Sequence, residues 1–296
     1  MRVLVAGWFS FEQMGASAGD LLCRDTVCGW LRSAGIEVVV ANAPPFHDGV
    51  RWETIPGESV DAVIFVCGPF GNGWPIPEFL AHFAGKRLVG VNLTMLQPLE
   101  DWNPFDVLFE RDSSRISRPD AVFLAPRHST PVVGLILVHA QKEYGARGRH
   151  AEANQALRSL ARGREAALVE IDTRLDVNGS GLQTPGQVES LIAKMDLVFT
   201  TRLHGMVLAL KNHVPCIVVD PIAGGAKITR QARTIGWPYV FSVDSLIPRE
   251  LEAAYEACIS DKRLAIDCAA GARRTLSNLE HGVISALAGS DSRLEK

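Results

Sequence analysis

The densest run of chemistry-bearing residues reads Asp196-Leu-Val-Phe-Thr-Thr-Arg-Leu-His-Gly-Met-Val-Leu-Ala-Leu-Lys-Asn-His-Val-Pro215. An apolar run, a polar turn and an apolar-periodic stretch follow in order, the pattern of a buried strand that delivers its end into a helix. Thr200 and Thr201 are expected to cap that helix, which places Arg202 and His204 in its first turn. Free amide donors and the positive end of the dipole gather there, so an anion is favoured. A guanidinium in the same turn opposes the dipole, at a cost of about 0.3–1 kcal/mol if exposed, and a counter-anion resolves the conflict. Histidine adds a group that exchanges protons near neutral pH. Acid–base chemistry on an anionic ligand follows, with Arg202 and His204 as catalytic candidates. The plainer alternatives are a capping or core role for His204 and a carboxylate partner for Arg202.

Further segments carry polar residues at strand ends or helix starts. Gly15-Ala-Ser-Ala-Gly-Asp20 precedes a helix, and Asp20 reads either as a base or as an ordinary first-turn acid stabilised by the dipole. Glu110-Arg-Asp-Ser113 follows a strand, with an Arg111–Asp112 salt bridge as the alternative to anion binding. Gly224-Gly-Ala-Lys227 puts a lysine in the first turn of another helix, where solvation is the competing reading. Gly68-Pro-Phe-Gly-Asn-Gly73 reads as a turn before a phosphate cradle.

In this order the elements resemble the polysaccharide pyruvyl transferase family. Arg202-Leu-His-Gly205 after an apolar strand, then a helix and Val214-Pro-Cys-Ile-Val-Val-Asp220, is similar to its signature. The Gly19-Asp20 pair, the Arg111-Asp112 element with Ser113, and Lys227 after the last core strand are similar to the family's other motifs, from about Val3 to Trp237. The chain departs from the family's triple-glycine loop at Gly68–Gly73.

That resemblance implies transfer of a pyruvyl group from phosphoenolpyruvate to a sugar or glycan hydroxyl pair, forming a ketal and releasing phosphate. A carboxylate beside a phosphate needs several fixed cations, which Arg202, Arg111 and Lys227 supply. Gly19, Ser113, Thr201 and Gly68 are the remaining substrate-binding candidates. His204 becomes the general acid, or the group that stabilises departing phosphate, and Asp20 the base for the attacking hydroxyl. No cofactor beyond the donor substrate and no metal is implied. The acceptor is a glycan, free or lipid-linked. Glycosyl transfer from a nucleotide sugar and a non-catalytic, degenerate member are the competing readings, the first disfavoured because no carboxylate-rich ribose site follows Pro221.

The elements that must position these residues alternate between short β-branched runs and helical periodicity, as parallel βα units do. Arg2–Ala6, Ile36–Ala41, Asp61–Cys67, Arg87–Val91 and Asp106–Phe109 form one series of expected strands. Val132–Val138, Ala167–Ile171, Leu197–Thr200, Cys216–Val219 and Tyr239–Phe241 form a second. Near-continuous apolar strands require cover on both faces. Ala18–Ala34 is the clearest helix, with Gly35 at its C-cap, and Pro248–Leu287 reads as one or two helices broken near Asp261. Arg115–Pro131 is the linker candidate, with Ala121–Leu124 a candidate last strand. The expected fold is α/β, two facing Rossmann-like domains (1–128, acceptor side; 129–296, phosphoenolpyruvate side) with parallel sheets and a cleft between them, which the resemblance makes GT-B-like.

Composition excludes several classes. With 30 Lys and Arg against 33 Asp and Glu, no basic excess marks a nucleic-acid binder. No stretch approaches the ~18 apolar residues of a membrane span, and Val3–Ala6 is too short for a signal-peptide core, so a cytoplasmic protein is expected. Six cysteines without C-x-x-C spacing suggest buried thiols rather than zinc or disulfides. Asn92-Leu-Thr94 and Asn178-Gly-Ser180 match the glycosylation pattern, which arises often by chance and is discounted. Most histidines outside position 204 are expected at the surface, and a polar tail at Gly289–Lys296.

Overall fold

A computed structural model describes residues 1–139 and 142–288; the polar tail lies outside the described residues. The chain divides into two compact units, Met1–His128 and Ser129–Lys296.

In the first unit, strands β1 (Arg2–Ala6), β2 (Glu37–Val40), β3 (Ala62–Val66), β5 (Arg87–Val91) and β7 (Val107–Phe109) form a sheet ordered β2-β1-β3-β5-β7, parallel throughout. Two short strands, β4 (Pro69–Phe70) and β6 (Thr94–Met95), pair separately. All five residues of β3 are buried, as expected of a central strand covered on both faces. Alternation in β1 sends Leu4 and Ala6 into one core and Val3 and Val5 into the other. The Leu4 side is aromatic: Phe65 meets Phe11, Phe70 and Phe79, and Trp52 meets Phe11, Phe79 and Phe83. Helix α2 (Ile76–His82) supplies part of that face. The Val3 side packs on α1 (Ala18–Ser33) through Cys23, Val27 and Cys28. At the end of α1, Gly35 has φ +73°, its N–H donates to Arg32 O, and Ile36 N–H donates to Leu31 O. These paired bonds close the helix in the Schellman manner and turn the chain into β2.

The second unit repeats the order with β8 (Val132–Ile136), β9 (Ala167–Glu170), β10 (Leu197–Thr200), β11 (Cys216–Asp220) and β12 (Val240–Ser242), again all parallel, as β12-β11-β10-β8-β9. Its core is mainly aliphatic, with Phe199, Trp237 and Tyr255 as its large rings. Helices α3 (His150–Arg162) and α7 (Pro248–Ser260) pack together and against β11. Helix α5 (Leu203–Lys211) packs with α4 (Pro185–Ile192), α6 (Lys227–Ile235) and α8 (Arg263–Thr275). A separate α9 (Leu279–Ala288) follows, so the C-terminal stretch breaks both near Asp261 and again before Leu279. In each unit the order reverses between the first strand and the third, and a doubly wound sheet opens a crevice beyond the strand ends at that point. The α/β class with two parallel-sheet, Rossmann-like units is thus borne out.

One expectation requires correction here. Ala121–Leu124 is a 3₁₀ turn, not a strand. The Asp120 carboxylate accepts from Val122 N–H and the Asn92 side chain accepts from Ala121 N–H, so side chains take the amides that a ladder would need. The histidines outside position 204 lie at the surface as expected, except His150, which is only 7% exposed. All six cysteines are buried free thiols. Among the described residues no helix is long and apolar enough to cross a membrane.

Candidate functional site

Strand β10 ends in two threonines, and their hydroxyls do something other than cap α5. Thr200 Oγ1 accepts from Arg202 N–H at 2.9 Å and donates to Ile136 O at 2.8 Å, joining the ends of β10 and β8. Thr201 Oγ1 accepts from Val138 N–H (2.9 Å) and donates to Asn154 Oδ1 (2.8 Å) on α3. With both hydroxyls committed, Arg202 itself is the N-cap of α5 and no side chain caps the helix. The first amide donors of α5 are therefore left for a ligand, and His204 sits among them in the first turn. Thr201, expected to bind substrate, is 1% exposed with its hydroxyl spent on structure.

Gly205 explains itself in the same contacts. A Cβ there would lie 2.2 Å from Thr200 Oγ1 and 3.0 Å from Ile136 Cγ2, so any side chain would push α5 off the strand ends and carry Arg202 and His204 with it.

Lys227 opens α6, and the loop before it is built around Asp220 at the end of β11. This fully buried carboxylate accepts from Ile222 N–H (3.2 Å), Ala226 N–H (2.9 Å), Thr229 N–H (3.0 Å) and the Thr229 hydroxyl (2.7 Å). Gly224 and Gly225, at φ +77° and +72°, supply the left-handed backbone that lets the loop fold back on it. Lys227 Nζ lies 6.0 Å from the centre of the Tyr144 ring.

These pieces converge. Arg202, His204 and Lys227 line one cavity of about 130 Å³ with Thr173 and Thr201, and Val138, Leu203 and Ile228 complete its wall. That is room for about four waters' share of liquid volume, the scale of a small metabolite. Among the described residues Arg202 uses a single nitrogen on the protein: Nη1 donates to Thr173 Oγ1 (2.7 Å) and Asp172 Oδ1 (3.4 Å), while Nε is buried without a partner. Burial lowers its pKa, and the nearby Asp172 charge opposes that shift. Neither His204 nor Lys227 has an ion-pair partner among the described residues. A neighbouring polar cavity of about 250 Å³ includes His139, Asn154, Asp172 and Ser180.

The remaining candidates belong to the N-terminal unit. Asp20 closes a capping box: its Oδ2 accepts from Ser17 N–H and the Ser17 hydroxyl, both at 2.7 Å, while Asp20 N–H donates to Ser17 Oγ. Gly19 lies in the same first turn. Arg111 is gripped on three nitrogens: Nε donates to Asp112 (2.9 Å), Nη1 to Asp120 (2.8 Å) and Nη2 to Thr94 Oγ1. Ser113 Oγ donates to Glu110 and accepts from Arg115 and Ile116 N–H, shaping a turn. Gly68, at φ +80°, lies under Trp8, where a Cβ would come within 2.3 Å of the indole. Its loop is pinned by Trp8 Nε1 donating to Pro69 O (2.8 Å).

The Arg-Leu-His-Gly turn with its cavity stands beside a match to a known family. Residues 116–221 match the polysaccharide pyruvyl transferase family model. The resemblance read from the sequence is borne out over those residues, which include β10, the Arg202–Gly205 turn and β11; Asp20, Arg111 and Lys227 lie outside them. No curated protein matches the chain. Among solved structures, the calicheamicin glycosyltransferase CalG4 is similar at 14% identity, over 97% of this chain and 98% of that one, with a TM-score of 0.36. The spinosyn forosaminyltransferase SpnP is similar at 13%, over 92% and 94%, with a TM-score of 0.33. The UDP-GlcNAc 2-epimerase of Methanocaldococcus jannaschii is similar at 10%, over 95% and 100%, at 0.34. Likenesses this distant carry no argument, and the fold rests on its own strand order.

The polysaccharide pyruvyl transferase reading draws attention to residues that sequence reasoning passed over. Asp220 stood in the signature only as the last letter of a strand, although an acid ending an apolar run just before a glycine pair is a legible cap signal. Asp172 and Thr173 carried no signal, because they follow an unremarkable edge strand, about 30 residues from Arg202.

In the N-terminal unit, the Arg111 guanidinium, the Ser117 hydroxyl and the Thr94 hydroxyl hold the Asp112 carboxyl down at about 2. The folded value lies below the ordinary value of about 3.9, so this contribution is complete above about pH 4 and disappears as pH falls toward 2. Burial opposes a similar lowering at Asp120, which Val122 N–H and Arg111 achieve. Urea midpoints of the chain should therefore fall between pH 4 and 2, and Asp112→Asn should flatten that fall; an unchanged pH slope in the variant would contradict the assignment.

Proposed function

We propose that the protein transfers the pyruvyl group of phosphoenolpyruvate to a pair of hydroxyls on a sugar or glycan, forming a ketal and releasing phosphate. The observation that carries this reading is the cavity at the uncapped start of α5, where Arg202, His204 and Lys227 meet apolar walls. Two acidic groups on a three-carbon donor call for cations and backbone amides, and the methylene end of the donor suits Val138, Leu203 and Ile228.

In this reading Arg202 and Lys227 bind the phosphate and carboxylate. His204 gives a proton to the methylene carbon, which becomes methyl, as the first acceptor hydroxyl attacks C2. Phosphate then leaves, and the second hydroxyl closes the ketal at the oxocarbenium-like carbon. One hydroxyl proton replaces that given by His204, and the other leaves with phosphate. Asp20, whose Oδ1 accepts no hydrogen bond among the described residues, is the proposed base for the attacking hydroxyl. Arg111 enters as a brace of the N-terminal unit, given its three protein partners. The reaction is proposed for the cytoplasm, on a free or lipid-linked glycan, with no cofactor beyond the donor.

Incubation with phosphoenolpyruvate and a panel of galactose, mannose, N-acetylmannosamine and glucose acceptors should release phosphate. In parallel, phosphoenolpyruvate at ~100 times its Kd should stabilise the fold by about 2.7 kcal/mol in a thermal-shift assay. Stabilisation by UDP-sugars with none by phosphoenolpyruvate would replace this reading with glycosyl transfer.

A further inference from the structure

The cavity holds one more group able to meet an anion, and it comes from the loop after β9. Thr173 Oγ1 accepts from Arg202 Nη1 at 2.7 Å. A hydroxyl that accepts through a lone pair keeps its own proton to donate. Among the described residues no acceptor takes that proton, and Thr173 lines the cavity beside Arg202, His204 and Lys227. Threonine and arginine thus present two donors on one wall, joined by their own hydrogen bond.

The surrounding loop holds that hydroxyl in place. Asn178 Nδ2 donates to Asp172 O (2.9 Å), and its Oδ1 accepts from Ser180 and Leu182 N–H, each at 2.9 Å. Ser180 Oγ accepts from Asp172 N–H and donates to Glu170 O. Asp172, whose side chain is 13% exposed, touches the same Arg202 nitrogen. Asn178-Gly-Ser180, discounted as a glycosylation pattern, is the knot of this loop.

We propose that Thr173 is a direct anion ligand of the cavity, donating its hydroxyl proton to a phosphate or carboxylate oxygen held by Arg202. The identity of the anion as phosphoenolpyruvate rests on the function proposed above; the role of the hydroxyl does not. Thr173→Val keeps the shape and removes the hydroxyl, Thr173→Ala removes it without the β-branch, and Thr173→Ser retains it. Calorimetric titration with inorganic phosphate and with phosphoenolpyruvate should show about tenfold weaker binding for Val and Ala, the loss of one hydrogen bond to a charged group. Ser should stay within about threefold of wild type. Wild-type affinity in either folded Val or Ala variant, judged by its melting curve, would overturn the proposal. A wild-type protein that binds phosphate but not phosphoenolpyruvate would overturn the donor assignment alone, and one that binds neither would overturn both.

Discussion

Arg202→Ala should cut phosphate release from phosphoenolpyruvate by about 10²–10³-fold, the usual loss when a preorganised donor to a developing charge is removed. The expectation follows from how little the protein asks of this guanidinium. Among the described residues only Nη1 has protein partners, and Nε is buried without one, an arrangement that a bound anion would complete. Burial already lowers the Arg202 pKa, so an anion would be gained in a poorly solvated place where charge attraction is strong. Arg202→Lys should recover only part of the rate, because a point charge cannot reproduce the planar fork. Steady-state kinetics on both variants test this, with melting curves as controls because Asp172 loses one of its partners. A folded Arg202→Ala protein with wild-type kcat/KM would remove the centre of the proposed site.

Asp220→Ala should cost about 3–5 kcal/mol of stability, read as a lowered urea midpoint at unchanged slope. Its carboxylate satisfies three backbone amides and one hydroxyl in a fully buried place, and truncation strands all four donors. Asp220→Asn should not restore the loss, since an amide presents one acceptor oxygen and places an NH₂ against backbone donors. A variant that stays folded should also weaken anion binding, because the loop that delivers Lys227 has lost its anchor. A midpoint within 0.5 M of wild type would show that the loop is held by other means.

What could be read from the sequence follows what is local. Strands β3 and β11 announced themselves because burial on both faces forces continuous apolar runs, and α1 because Ser17, Asp20 and Gly35 mark both ends within single turns. The Arg202–Gly205 turn was legible for the same reason, as strand, turn and helix are consecutive. Thr200 and Thr201 misled because a hydroxyl before a helix is a cap by habit, whereas here the ends of β8 and α3 claim both. Ala121–Leu124 misled because an apolar tetrad has strand composition, whereas the adjacent Asp120 and the distant Asn92 take its first amides. Thr173 was invisible, since its meaning comes from a residue 29 positions away. Local propensity reports on such sites poorly because their geometry is set by tertiary contacts.

The uneven distribution of rings between the two cores has a practical consequence. Trp8, Trp30, Trp52, Trp74 and Trp102 all belong to the N-terminal unit, and Trp237, with its indole N–H donating to Cys216 O, is alone in the other. Intrinsic emission is therefore weighted toward the first unit, although buried Trp237 also reports on the second. Set against far-ultraviolet circular dichroism, which weighs the helices of both, it becomes an optical label that needs no dye and tells whether the two halves of the chain come apart in one step or two.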